Sequence, residues 1–281
     1  MPVDRSRLPA LGPEPAFRFP GVVKTRIDGG LDCWAIEHRD VPVVVFLLLL
    51  PVGASADPPD RPGLAALTGD MLDEGAGRLD ALEFHDALAR AGAHLEIDVG
   101  PDATTLMLWT LGRSAGRALE LLADAVARPR FEAAEFERVR TWRLNRLRQL
   151  RDLPPAVADQ LFARTLYRGH PYGHLPIGTE AALRTMSLDE VVAFHRSTYA
   201  PGRATLIAAG EIDATALERE ARRVFGDWEG APAAPLVDPA ALFSPEPPVE
   251  RLVIVDRPNA AQSELRIGHV AAPRRTPDYH A

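Results

Sequence analysis

The sequence predicts an α+β domain in which an antiparallel or mixed sheet is backed by helices. Two observations lead to this. Short β-type apolar runs recur at Val22 to Ile27, Asp32 to His38, Val43 to Leu50, His94 to Val99, Thr104 to Leu111 and Arg203 to Gly210. Between and after them lie segments with helical spacing and recognisable caps, so the order is hairpin, buried strand, two helices, strand pair, long helices, strand and helix.

The first two strands flank Asp28-Gly29-Gly30, a turn sequence, and are expected to form a hairpin. The run from Val43 to Leu50 is apolar at every position, as a central strand covered by helices on both faces would be. Leu64, Leu67, Met71 and Leu72 follow helical spacing after the Pro-rich loop Ser55 to Pro62. Asp80-Ala81-Leu82-Glu83 has the form of a capping box, and Gly92 that of a C-terminal cap. Gly100-Pro101-Asp102 joins the strand pair.

Helices are then expected over Gly112 to Ala127, from Glu132 to the residues before Pro154-Pro155, and over Ala156 to Tyr167. Gly169-His170-Pro171-Tyr172-Gly173 is a loop rich in turn formers, and Ser187-Leu188-Asp189-Glu190 is a second capping box that opens a helix to Tyr199. The last helix of the unit is expected over Ala214 to Phe225. Residues 1–20, with prolines at 2, 9, 13, 15 and 20, form a loose leader with no apolar signal-peptide core. The main domain runs over 21–230, residues 231–250 are a Pro-rich linker, and new strands are expected at Arg251 to Val255 and Glu264 to Val270.

Composition narrows the function classes. A formal charge of −7 gives no general attraction to phosphate backbones, so nucleic acid is not an expected partner. The apolar run from Val41 to Val52 is shorter than the roughly 20 residues a membrane helix needs. No membrane span is expected, and the location expected is cytoplasmic, with the periplasm as the alternative. One cysteine, Cys33, excludes an internal disulfide framework. The arginines of the 132–151 segment are solvated helix faces or a surface for an acidic partner.

The segment Gly63-Leu64-Ala65-Ala66-Leu67-Thr68-Gly69-Asp70-Met71-Leu72 resembles that in which peptidases of the pitrilysin/insulinase (M16) family carry an inverted zinc motif, H-x-x-E-H. Gly92-Ala93-His94-Leu95, Pro129-Arg130-Phe131 with Glu135, Gly169-His170-Pro171-Tyr172-Gly173, Gly178-Thr179-Glu180, Tyr199-Ala200-Pro201 and Ala209-Gly210-Glu211-Ile212 resemble later family segments in the same order. The resemblance covers about Val22 to Gly230, and Val255-Asp256-Arg257-Pro258 with Gln262 resembles the start of a second repeat, left incomplete over 251–281. It implies a LuxS/MPP-like metallohydrolase-type domain.

The same resemblance implies where the chemistry would sit. Zinc in an active member is held by two histidines and a glutamate, with another glutamate polarising its water. Laid on that frame, the first histidine position is Ala66, the general base is Gly69 and the second histidine is Asp70. The third ligand falls on Arg146, and a neighbouring family glutamate on Val139. Ala and Gly offer no donor atom and arginine is a permanent cation, so no metal ligand set and no cofactor are expected. His170 and His174 are four apart, but Pro171 and Gly173 break any helix between them.

The expected function is therefore that of a catalytically inactive family member. Such a chain pairs with a zinc-bearing paralogue and helps enclose a peptide or unfolded protein. Leu95, Glu96, Ile97, Asp98 and Val99 are the candidate edge for main-chain pairing with substrate. The alternatives are a structural core-type subunit of a larger complex, and an active zinc peptidase using Asp70 with atypical ligands.

Overall fold

The computed structural model describes residues 18–230 and 252–272 together with residues 12, 16, 276, 277 and 279. Most of the leader and all of residues 231–250 thus lie outside the described residues. Six strands form one mixed sheet: β1 (Val23–Arg26), β2 (Asp32–Glu37), β3 (Val43–Leu50), β4 (His94–Val99), β5 (Thr104–Leu111) and β6 (Thr205–Gly210), in the order β1-β2-β6-β3-β5-β4. Every pairing is antiparallel except β2 with β6. A glycine-rich 3₁₀ turn at Asp28–Gly30 closes the β1–β2 hairpin. β4 and β1 are the two edges, and β6 joins the hairpin to the β3–β5–β4 meander.

The helices are α1 (Leu64–Asp70), α2 (Ala81–Ala91), α3 (Ala115–Ala127), α4 (Ala133–Arg151), α5 (Pro154–Tyr167), α6 (Glu180–Thr185), α7 (Leu188–Thr198) and α8 (Ala214–Phe225). Both expected capping boxes are formed, by Asp80 with Glu83 and by Ser187 with Glu190. Gly92 closes α2 in the left-handed region at φ 62°, where a side chain would be strained. The short helix α6, capped by Thr179, was not expected from the sequence; six residues are too few to show a period.

The core lies between the helices and one face of the sheet. Cys33, Ala35, Val44, Phe46, Leu48, Leu50, Leu106, Leu108, Leu206 and Ala208 are buried there, against Leu119, Leu122, Val126, Leu217 and Val224 of α3 and α8. The opposite face differs from the expectation of helices on both sides: Val45, Leu47, Leu49, Met107, Trp109 and Ile207 are only half-buried. Register sets one row across all six strands, Lys24, Trp34, Ile207, Leu47, Met107 and Glu96, apolar in the middle with a cation at one end and a carboxylate at the other. Lys24 lies over the Trp34 ring at 3.9 Å.

The strands expected at Arg251 to Val255 and Glu264 to Val270 are not formed among the described residues. The segment runs past α4 and α5 instead, where Arg257 donates to the carbonyls of Arg151 and Asp152 and Arg266 pairs with Asp159. Leu252, Ile254, Leu265 and Ile267 stay exposed, because a β-type sequence forms a strand only where a partner meets its backbone.

Candidate functional site

α1 is positioned from its N-terminus by a buried carboxylate. Asp57 accepts hydrogen bonds from the backbone N–H groups of Gly63 (2.6 Å) and Ala65 (2.7 Å), two of the donors a helix start leaves unpaired. The His174 Nε2 lies 3.0 Å from the same carboxylate. Gly63 sits at φ 100°, and a β-carbon there would come 2.8 Å from the Gly178 Cα, so two glycines allow the 174–178 loop to close over the helix start.

Along α1, Ala66 is buried, and Gly69 faces β4 so closely that a β-carbon on it would lie 2.5 Å from the Val99 Cγ2. A glutamate at this position would require Val99 to move. Asp70, at the C-terminal end of α1, forms an ion pair with Arg143 of α4. The Arg143 side chain is only 6% exposed, against 33% for Asp70. Its second terminal nitrogen donates to the Pro176 carbonyl at 3.2 Å, and its Nε is buried without a partner. A guanidinium out of water must be paired, and here one carboxylate and one carbonyl do so.

Arg143 is thus the arginine of α4 that meets Asp70 of α1. Arg146 is exposed on α4, where its Nη1 donates to the Gln149 side-chain oxygen at 3.5 Å. Arg146, the position to which the resemblance assigns the third ligand, lies about 60° around the helix from Arg143 (at ~100° per residue) and off the buried face. Val139 and Leu147, one turn to either side of Arg143, are buried. The apolar spacing Phe136, Val139, Leu147 was the signal that marked Arg143 as facing inward.

These residues do not fit a zinc ion. Ala66 and Gly69 supply no donor, the Asp70 carboxylate is held by a guanidinium, and a guanidinium has no lone pair to give. Among the described residues no group of three or more His, Cys, Asp or Glu side chains could hold a metal. His170 accepts from the Tyr172 N–H within its loop, and His195 is buried with its Nε2 2.8 Å from the Val126 carbonyl, its affinity for a proton lowered by burial. Two surface depressions, of about 640 Å³ beside Val23, Ala35 and Thr215 and about 550 Å³ beside Phe131, His195 and Tyr199, include none of the α1 motif.

The charged groups around the end of α1 extend this pattern. Glu74 pairs with Arg138 of α4. Asp73 has its carboxyl pushed up to about 6, first by burial and then by the neighbouring Glu74. The candidate edge residues Leu95 to Val99 form β4, the edge strand beside α1, with Leu95, Ile97 and Val99 turned toward the helices and His94, Glu96 and Asp98 exposed on the other face. Sequence reasoning missed Asp57 as well as Arg143; its burial comes from loop closure between segments over 100 residues apart.

A six-stranded mixed sheet backed by helices, with α1 packed beside the edge strand β4, defines a unit of the metallopeptidase-fold type. The chain belongs to the insulinase family of peptidases, M16: the model of that family matches residues 34–180, and the model of the M16 inactive domain matches residues 185–281. Among curated relatives, an uncharacterised zinc protease of Mycobacterium leprae is 26% identical over 215 residues, covering 75% of this chain and 47% of the relative. The mitochondrial-processing peptidase subunit beta of Rattus norvegicus is 25% identical, over 80% of this chain and 46% of the relative. The chain therefore spans about half the length of the curated relatives it matches. A solved peptidase M16 inactive domain from Pseudomonas fluorescens superposes with a TM-score of 0.72 at 25% identity, covering 81% of this chain and 54% of that one. A protease from Helicobacter pylori shares the fold with a TM-score of 0.73 at 20% identity, over 81% of this chain and 54% of that one. Among the described residues no helix is long and apolar enough to cross a membrane.

Proposed function

We propose that this chain is a non-catalytic member of the M16 family that pairs with a zinc-bearing relative and helps hold an extended peptide or unfolded protein for it. The observation that carries this reading is the Asp70–Arg143 ion pair, which fills with a fixed cation the place where hydrolysis would need donor atoms. The position of β4 supports the second half of the proposal. An edge strand offers unpaired backbone groups to an extended chain, and Leu95 to Val99 can serve this way with no catalytic group. Residues 251–281 are taken as the opening of a second repeat, and the cytoplasm as the location.

The test is a hydrolysis assay of a zinc-bearing paralogue from the same source, alone and with this chain. The expected outcome is no activity from this chain alone, and a rate or KM for the pair that differs from that of the paralogue alone. Hydrolysis by the purified chain that chelator abolishes would reject the non-catalytic reading. Identical kinetics with and without the chain would reject the partnership.

A further inference from the structure

We infer that the open face of the sheet is a docking surface for a second copy of this chain, which lies on it about a two-fold axis parallel to the strands. Register carries the inference. The row Lys24, Trp34, Ile207, Leu47, Met107 and Glu96 runs from a cation on one edge strand through apolar side chains to a carboxylate on the other. The next row on the same face, Arg26, Asp32, Thr205, Leu49, Thr105 and Asp98, again begins with a cation on β1 and ends with a carboxylate on β4. The helices α3 and α8 pack on the other face, and the apolar members of these rows are only half-buried.

Such a face is complementary to itself in one orientation. Rotation about an axis parallel to the strands, between β6 and β3, lays β1 of one copy across β4 of the other and keeps the rows in line. Lys24 then meets Glu96 of the second copy, Trp34 meets its Met107 and Ile207 meets its Leu47, across the ~10 Å that separates stacked sheets. Rotation about an axis across the strands would instead set β1 on β1, with Lys24 and Arg26 facing like charges, which is disfavoured. The charge pattern thus selects both the occupant and its orientation. Arg26 is already held by Asp32 at 2.7 Å, so Lys24 and Glu96 are the pair on which the selection chiefly rests. The Trp34 ring, 3.9 Å below the Lys24 ammonium, keeps that charge on the open face. The backbone groups of β4 point along the sheet plane, so the contact leaves that edge open and does not depend on the peptide-binding reading.

The experiment is sedimentation of the full chain together with carbodiimide cross-linking, which joins an amine to a carboxylate with loss of water. Lys24 is the only lysine in the sequence, so the amine is defined. The unmodified chain is expected to dimerise reversibly and to give a cross-linked dimer whose mapped bond joins Lys24 to Glu96. Within one chain these residues stand five strand spacings apart, about 24 Å at ~4.8 Å each, so the bond can form only between copies. Lys24→Glu is expected to weaken association about tenfold or more by setting like charges together, and Glu96→Lys added to it to restore the dimer. Lys24→Arg is expected to keep the dimer and lose the cross-link. Both side chains are exposed on edge strands, so these variants keep the fold, which circular dichroism checks.

A chain that is monomeric at every concentration would overturn the inference, as would association with a zinc-bearing relative alone. So would a dimer indifferent to Lys24→Glu, a charge exchange that restores nothing, or a bond from Lys24 to a carboxylate of the second copy that lies off the open face. None of these measurements involves hydrolysis, so this claim and the proposed function fall separately.

Discussion

At Gly69 two opposing effects can be weighed. Alanine in place of glycine within a helix gains about 1 kcal/mol of backbone preference, but overpacking costs typically ~1–3 kcal/mol. The new methyl would meet Val99, whose β-branched side chain has little rotational freedom. Gly69→Ala is therefore expected to destabilise by about 1 kcal/mol in urea titration. In a Val99→Ala background the same change is expected to stabilise, and a cycle that shows no coupling between the two would contradict the packing. Asp73 gives a second residue-scale expectation. Its carboxyl is raised to about 6, so its favourable state is the protonated one. Its contribution to stability is complete below the ordinary carboxyl range and is lost as pH rises through 6. Asp73→Asn should therefore stabilise at pH 8 by about 1–2 kcal/mol, allowing for screening, and do little at pH 4. His195 works the other way: burial lowers its proton affinity, so its contribution is present above about 6.5 and lost on acidification.

The elements differ in how much of them could be read from sequence. β4 and β5 carry the expected bounds, and both capping boxes were legible because each is a four-residue signal with its own chemistry. α1 was legible as a helical run, but the pairing of its Asp70 with Arg143 of α4 was not, because spacing across two helices and a hairpin does not say which face of α4 turns inward. The fastening of α1 was not legible at all, since Asp57 and His174 meet only after the chain has closed on itself. Asp57→Ala removes the acceptor for two helix N–H groups and is expected to cost about 2–3 kcal/mol; His174→Ala should cost nearer ~1 kcal/mol. Equal losses from the two in chemical denaturation would show that His174, not the helix start, is the main role of Asp57. β3 offers a parity test of the layer arrangement. Leu48→Ala, on the helix side, is expected to cost ~2–5 kcal/mol, and Leu47→Ala, on the half-buried face, less than half as much.

For the whole molecule, topology matters more than any one contact. β6 lies between β2 and β3, yet it comes about 170 residues after β2 in the chain, counting from Glu37 to Thr205. The hairpin and the meander have no hydrogen-bonded ladder between them until that strand arrives. During synthesis the ribosome must therefore release almost the entire unit before its sheet can become continuous, and the delay falls on sequence-distant pairing, the slow kind. Two half-sheets, each with edges later hidden, are left to wait in the meantime, so the interval of exposed strand edges is set by the position of a single late strand.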